Sequence, residues 1–296
     1  MQTMAVGPHA QCVVLNSGKF RLAVTTAVGP RVIGGFVGEG RNLFAVLPCE
    51  PYGAIGTGWI LYGGHRLWHA PEVAPRTYAP DNVPVKVTEL AGGAVEFANE
   101  PEPLTGIAKS IRIRPLGGER FELTHTLTNR GQWTVALAPW ALSVMAPGGT
   151  AVIPFARDAK ASPYSVDRTL NLWCYSELTD PRLRIGRDFL TLRQDPQASE
   201  PLKLGLNCRA GWIAYINQGT ALVKHIAYDA GANYPDRHCN VESYSCAQFL
   251  EIETLGAEVP LAPGAAAVHV ETWHGLSGVG ALGTDAEIAA NLVARL

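Results

Sequence analysis

Ten consecutive residues from Gly63 to Glu72, with the sequence GGHRLWHAPE, combine two histidines, an arginine, a tryptophan and a glutamate. A buried strand rarely holds so many ionisable groups, because each needs a partner once it leaves water. A concave polar site uses such residues differently: a ring stacks on an apolar ligand face, and charged groups bind hydroxyls or a carboxylate. The stretch therefore predicts ligand-binding roles for Arg66, Trp68 and Glu72, with a mixed-charge surface loop as the alternative.

His65 and His69 are spaced by four residues, a separation that on a helix would place both as ligands to one metal ion. The glycine pair before them and Pro71 after them disfavour a helix. No third histidine or cysteine stands nearby at ligand spacing. The sequence therefore predicts no metal, and the two histidines are instead candidate proton-transfer groups.

A second polar stretch, YPDRHCNVESY, runs from Tyr234 to Tyr244. Asp236, Asn240 and Glu242 supply hydrogen-bond acceptors, and Tyr244 supplies a ring. In a strand, Asn240 and Glu242 would point to the same side. These four residues are predicted to bind a ligand, and a long polar surface loop is the alternative.

Further charged residues interrupt strands that are otherwise apolar. Glu251 and Glu253 alternate with Leu250, Ile252 and Thr254, and a carboxylate in such a strand is costly unless it is paired or functional. One of the two glutamates is therefore the candidate general base, unless both face water on an outer sheet surface. Lys224 and Arg31 lie in similar apolar surroundings and are predicted to contact the ligand.

The rest of the chain is predicted to be a set of short strands that position these groups. Many apolar runs alternate with period two between turn residues, which is typical of an antiparallel β-sandwich. Gly117-Gly118 predicts a hairpin. The capping box Thr284 to Glu287 begins a short C-terminal helix, and a helical piece is also predicted near Val166–Leu172. No linker or tandem repeat divides the chain.

Composition excludes several classes of protein. The 296 residues are 47% hydrophobic with a formal net charge of −2, so we expect neither a nucleic-acid partner nor binding to an anionic membrane. No apolar run is long enough to span a bilayer. Met1 to Ala10 lack the pattern of a secretory signal, and the six cysteines are dispersed. Together these features predict a cytoplasmic protein with free, mostly buried thiols, and they leave the oligomeric state open.

In consistent order along the chain, several segments resemble the galactose mutarotase-like superfamily, which includes the aldose 1-epimerases. They are Gly29–Arg31, Gly63–Glu72, Pro139–Leu142 with Gly148-Gly149, Tyr234–Asp236, Asn240–Glu242, Glu251–Gly256, Leu261–Gly264 and Glu271–Trp273. The resemblance implies one carbohydrate-binding domain over residues 1–296, a twisted all-β supersandwich with a concave sugar site. It also implies sugar epimerisation or mutarotation without a cofactor.

In that family a glutamate takes a proton from the anomeric hydroxyl and a histidine donates one to the ring oxygen. Glu253 matches the glutamate, but Trp140 stands near the place of the histidine, so His65 or His69 would have to supply the acid. Arg31 and Arg66 would hold hydroxyls or a negative group.

Two alternatives remain open. One is a lyase acting on an acidic sugar, in which Arg31, Arg66, Asn240 and Tyr244 would neutralise the carboxylate. The other is a sugar-binding module without catalysis, which the missing histidine favours.

Overall fold

Two large antiparallel sheets pack face to face in the computed structural model, which describes residues 1–50, 56–155 and 157–296. With strands numbered in chain order, the first sheet contains β1 (Thr3–Val6), β2 (His9–Ser17), β3 (Phe20–Thr25), β4 (Arg31–Val37), β5 (Gly64–Ala70), β10 (Val135–Met145), β19 (Leu250–Leu255), β18 (Val241–Ser245), β15 (Leu202–Leu206) and β12 (Leu170–Leu172), in that spatial order. Strand β20 (Val259–Leu261) also pairs with β10.

The second sheet follows the spatial order β13 (Leu183–Ile185), β14 (Phe189–Arg193), β11 (Thr150–Pro154), β16 (Trp212–Asn217), β17 (Thr220–Ile226), β21 (Ala266–Ser277), β9 (Arg120–Asn129), β8 (Ile107–Gly117), β7 (Val95–Ala98) and β6 (Lys86–Glu89). The main core lies between the sheets, where Phe20 meets Phe121 and Phe44 meets Trp273. The all-β sandwich predicted from the alternating pattern is confirmed.

Helical segments are few and short. The C-terminal helix Asp285–Asn291 begins with the predicted capping box: Thr284 Oγ1 accepts from Glu287 N at 3.2 Å, and Glu287 Oε2 accepts from Thr284 N at 3.0 Å. Short 3₁₀ turns cover Arg76–Tyr78, Ala91–Gly93 and Val293–Arg295, and Pro235–His238 forms a single turn. No helix among the described residues is long and apolar enough to cross a membrane.

Two local predictions have opposite outcomes. The hairpin at Gly117-Gly118 is confirmed and joins β8 to β9. The helical piece near Val166–Leu172 is wrong, because Leu170–Leu172 form strand β12 and pair with β15 from Leu170 to Leu206. The sheet edge offers these residues a ladder of hydrogen bonds, which outweighs a weak local helical preference.

Strand β5 has chemically different residues on its two faces. Arg66 and Trp68 point away from the second sheet, whereas His65, Leu67 and His69 point toward it. Gly63 and Gly64 bring the chain into this strand with φ of 87° and 66°. A Cβ on them would lie 2.2 Å from the Ala45 oxygen and 2.3 Å from the Val32 oxygen, so larger residues do not fit.

Candidate functional site

The outer face of the first sheet carries a row of polar and aromatic side chains from five neighbouring strands. Register pairs place Trp68 beside Trp140 and Arg66 beside Leu142. Farther along the sheet, Glu251 pairs with Tyr244, which in turn pairs with Lys203. Directly paired residues of an antiparallel sheet point to the same side. The strands β5, β10, β19, β18 and β15 therefore build one continuous surface.

A cavity of about 240 Å³, partly open to solvent, lies on this surface. Residues from strands and loops share its wall: Trp59, Leu61, Arg66, Trp68, Glu72, Tyr78, Trp140, Leu142, Tyr175, Pro201, Lys203, Tyr244, Phe249 and Glu251.

Aromatic rings form one side of the cavity. Trp68 is the centre of the group, with ring centroids 5.0 Å from Trp59, 5.0 Å from Tyr78 and 5.5 Å from Trp140. These contacts fix the ring orientations, so the surface is preorganised. Such a surface suits the apolar face of a ring-shaped ligand whose hydroxyls turn toward polar groups.

Glu251 is one of two glutamates that line the cavity, the other being Glu72. Its Oε1 accepts a hydrogen bond from Arg66 Nη1 at 3.0 Å, and the Arg66 guanidinium lies 4.2 Å from the centroid of Trp68. Burial raises the pKa of Glu251 above its ordinary value, and the neighbouring Arg66 offsets only part of that effect. A carboxyl group with a raised pKa, at the wall of a cavity, is suited to proton transfer.

Lys203 joins two further carboxylates just beneath the cavity. Its ammonium lies 2.9 Å from Glu242 Oε2 and 3.1 Å from Glu253 Oε2, and Trp140 Nε1 also donates to Glu253 Oε2 at 2.9 Å. Burial raises the pKa of Glu242. Burial alone would lower the pKa of Lys203, but the two carboxylates hold it well above its ordinary value. Glu242 and Glu253 are fully buried and do not line the cavity.

The structure brings together only part of the predicted site. Arg66, Trp68, Glu72 and Tyr244 line the cavity. Asp236 lines an adjoining cavity. Glu242 and Glu253 lie beneath the wall of the first cavity. The other predicted residues lie elsewhere: His65, His69, Arg31, Lys224 and Asn240.

His65 and Lys224 lie between the two sheets. His65 Nε2 is 2.7 Å from His125 Nε2, and His65 Nδ1 is 2.9 Å from Ser143 Oγ. Lys224 Nζ donates to the Ala141 carbonyl and pairs with Glu271, each at 3.1 Å. His65 comes from the first sheet and Lys224 from the second, and both side chains are fully buried. They belong to an interior polar cluster that joins the sheets.

The other three predicted residues, His69, Arg31 and Asn240, form ion pairs or bond to the backbone away from the cavity. His69 Nε2 lies 3.4 Å from Glu102 Oε2, also on the inner side. Arg31 pairs with Asp81 at 2.8 Å and donates to the Gly63 carbonyl. Asn240 bonds the backbone N–H and carbonyl of Cys208. None of the three lines the cavity on the outer face.

The interior cluster brings His65, His125 and Glu271 together, with ligand atoms within 4.8 Å of one another. Spacing in the sequence could not reveal this group, because His125 and Glu271 come from the other sheet. Trp273 and Thr254 donate hydrogen bonds to Glu271, and the Lys224 ammonium pairs with the same carboxylate. A neighbouring ammonium opposes a divalent cation, so the arrangement is that of a hydrogen-bonded core cluster.

This cluster predicts a dependence of stability on pH. Burial lowers the pKa of His65, His125 and His269, that of His269 to about 3. An unfolded histidine binds a proton below about pH 6.5, whereas these folded ones do not, so stability must fall as pH falls from about 6.5 toward 3. Glu271, with its pKa lowered to about 2, adds to the loss at the acid end.

Urea unfolding at pH 7 and pH 5.5 measures this effect. Replacing His269 by glutamine should remove about 1.3 kcal/mol of the difference in unfolding free energy between the two pH values, because an unfolded histidine becomes protonated over this range. Equal stability of the unmodified protein at both pH values would contradict the prediction.

Sequence reasoning missed several cavity residues. Lys203 stands in the apolar strand LKLGL, and the argument used for Lys224 would have found it. Trp59, Tyr175 and Phe249 carry no chemical signal in sequence, because loops and a strand end bring them to the cavity.

No family model matches the chain, and no curated protein matches its sequence. Solved structures do match its fold. A galactose mutarotase-like protein from Lactobacillus casei ATCC 334 is 9% identical, with TM-score 0.54, and the match covers 89% of this chain and 99% of that one. A galactose mutarotase related enzyme from Lactobacillus acidophilus is also 9% identical, with TM-score 0.52, and the match covers 93% of this chain and 98% of that one.

This chain has the galactose mutarotase-like fold. The same fold also occurs inside a larger protein, since a TPR-domain containing protein from Parabacteroides distasonis matches with TM-score 0.62 and 12% identity over 90% of this chain and 47% of that one. The resemblance drawn from the sequence is therefore confirmed for the fold. At these identities the comparison shows the fold alone, and function has to be argued from the site.

Proposed function

We propose that this protein binds a sugar in the outer-face cavity and exchanges its anomers by acid–base catalysis. The observation that carries the proposal is Glu251, a carboxyl group with a raised pKa at the wall of a cavity lined with aromatic rings. Trp68 and Trp140 would stack on the apolar face of the sugar, and Tyr244 and Glu72 would bind hydroxyls.

Glu251 is the proposed proton-transfer group, in preference to Glu253. The carboxylate of Glu253 is covered by Trp140 and Lys203, whereas Glu251 reaches the cavity. In the proposed reaction Glu251 takes the proton of the anomeric hydroxyl while the bond from the anomeric carbon to the ring oxygen breaks. The protonated carboxyl then returns a proton to the ring oxygen, and rotation before closure gives the other anomer.

Lys203 is the proposed stabiliser of charge on the ring oxygen. Lys203 is one of the lining residues, and its raised pKa keeps its ammonium charged, so it would stabilise negative charge without giving up its proton. The assignment replaces His65 and His69 as the source of positive charge at the ring oxygen, because neither histidine lines the cavity. Arg66 holds Glu251 in place.

The charge arrangement favours a substrate without an acidic group. Among the described residues that line the cavity, both cations are already engaged: Arg66 pairs with Glu251, and Lys203 pairs with Glu242 and Glu253. A uronate or a phosphorylated sugar would have to displace one of these buried pairs, which is costly. This argues against the lyase alternative.

A sugar-binding module without turnover is the second candidate. It is favoured by the absence of histidine among the described residues of the cavity wall and by the covering of Glu253. Both candidates need a small carbohydrate and no cofactor. A cytoplasmic location is also part of the proposal.

Saturation-transfer NMR on the purified protein with a panel of free aldoses and uronates tests the proposal. Exchange between anomeric proton signals that is faster than in buffer for a neutral aldose would support mutarotation. Contact transfer from protein to sugar without faster exchange would support the binding module. If no sugar showed either contact transfer or faster anomeric exchange, both candidates would be contradicted.

A further inference from the structure

A second cavity of about 340 Å³ opens beside the first. It is lined by Glu72, Ala74, Tyr78, Trp140, Trp173 and Asp236. Glu72, Tyr78 and Trp140 also line the first cavity, so the two cavities adjoin. A substituent on a ligand in the first cavity would therefore lie near the second.

The lining of this second cavity has a distinct chemistry. Three aromatic rings and two carboxylates face it, and none of its described lining residues is basic. Aromatic faces attract cations through their negative quadrupole, and nearby carboxylates add a direct charge attraction. Neutral hydroxyl groups would gain far less from this combination.

Lys203 shows that two of these rings already accept a cation. Its ammonium lies 4.6 Å from the centroid of Trp140 and 4.7 Å from that of Trp173. Glu242 and Glu253 pair with this ammonium and offset its charge. Glu72, which accepts a hydrogen bond from the Tyr78 hydroxyl, and Asp236 line the cavity, and none of the described lining residues is a cation.

The protein holds Asp236 at the cavity in an unusual way. Asp236, Arg237 and His238 have φ of 50°, 61° and 71°, a run of left-handed residues that L-amino acids rarely adopt. Asn171 stabilises the turn by donating to the Asp236 and Arg237 carbonyls at 3.1 and 3.2 Å. Since Asn171 is two residues before Trp173, one short segment positions both the ring and the turn.

We propose that the second cavity binds a protonated amino group, so that the ligand of this protein is an amino sugar or a saccharide bearing a cationic substituent. The inference rests on the proposed function for the sugar itself, whereas the cation site rests on the second cavity. The two can therefore be tested separately.

The first test uses a cation that carries no sugar. Choline and its neutral isostere 3,3-dimethylbutan-1-ol are titrated into the full chain, with tryptophan fluorescence and saturation-transfer difference NMR as readouts. We expect choline to bind between about threefold and thirtyfold more tightly than the isostere. Equal binding of the two probes, or binding of neither, would overturn the proposal.

Three variants test whether choline binds in the second cavity. Asp236→Asn keeps a residue type that tolerates left-handed backbone, so the turn should fold, and it should remove most of the preference for choline. Trp173→Leu should weaken choline binding as well. Glu89→Gln, on β6 of the other sheet, is the matched control and should change nothing. A choline preference that survives Asp236→Asn and Trp173→Leu would place the cation elsewhere and overturn the proposal.

The second test compares glucose with glucosamine and galactose with galactosamine. We expect the amino member of at least one pair to bind at least about threefold more tightly, and the difference to disappear in Asp236→Asn. If neutral aldoses show faster anomeric exchange but choline does not bind, the cation site fails while the proposed function stands. If choline binds as expected and no sugar exchanges faster, the cation site stands while the catalytic proposal fails.

Discussion

Replacing Glu251 by glutamine is expected to lower the rate of anomeric exchange by at least about a hundredfold, because loss of a positioned acid–base group typically costs this much. Glutamine retains an oxygen that can accept the hydrogen bond from Arg66, which reaches Glu251 at 3.0 Å. The variant therefore removes proton transfer while leaving the shape of the cavity in place. Saturation-transfer NMR with the best sugar of the panel measures the rate.

Two further variants show whether the loss is specific. Glu72→Gln changes another carboxylate of the cavity wall and should affect sugar affinity more than the rate. Glu253→Gln should leave the rate within about tenfold if Glu251 is the base. Full activity of Glu251→Gln together with loss of activity in Glu253→Gln would return the role of base to Glu253.

Removal of the Lys203 ammonium should cost the most stability of any single change at the site. Lys203→Met leaves Glu242 and Glu253 buried without their cation, and breaking a buried pair from one side costs about 3–5 kcal/mol. The deficit should shrink as the pH falls, because burial already raises the pKa of Glu242 and a protonated carboxyl needs no counterion. Urea unfolding at pH 7 and pH 5 measures both effects.

The matched control removes the buried charge as well as its partner. The double variant Lys203→Met with Glu242→Gln should recover part of the lost stability, because fewer unpaired charges remain buried. Arg193→Met breaks an exposed pair with Asp195 and should change stability little. A deficit in Lys203→Met that is small at pH 7, or that does not depend on pH, would contradict this account of the buried pair.

Much of the fold was accessible from local sequence patterns. Strand alternation, the hairpin at Gly117-Gly118 and the capping box at Thr284 depend on neighbouring residues, and all three are confirmed. Strand β12 was missed because Leu170–Leu172 owe their conformation to pairing with β15, more than thirty residues away in sequence. Where strands that are distant in sequence pair, as β5 does with β10, the order of the described strands likewise depends on long-range contacts.

The site was only partly accessible, because sequence shows which residues share a face but not which face is concave. Alternation correctly placed Glu251 and Glu253 on one face of a strand. It could not show that His65 and His69 face the second sheet, where His125 and Glu102 provide their partners. Glu251 lines the cavity, whereas Glu253 lies beneath its wall. This difference in depth depends on side chains from other strands, which the sequence of β19 does not show.

Strand β5 constrains how the length of this chain can change. Its odd-numbered side chains, such as His65 in the interior cluster, lie between the sheets. Its even-numbered side chains, such as Arg66 in the cavity wall, lie on the outer face. Inserting or deleting one residue between Gly64 and Trp68 would turn every later side chain to the opposite face. It would place Trp68 in the core and a core residue in the cavity in a single event. Any natural or designed variation in length here should therefore come in steps of two residues, or be confined to the loops that flank the strand.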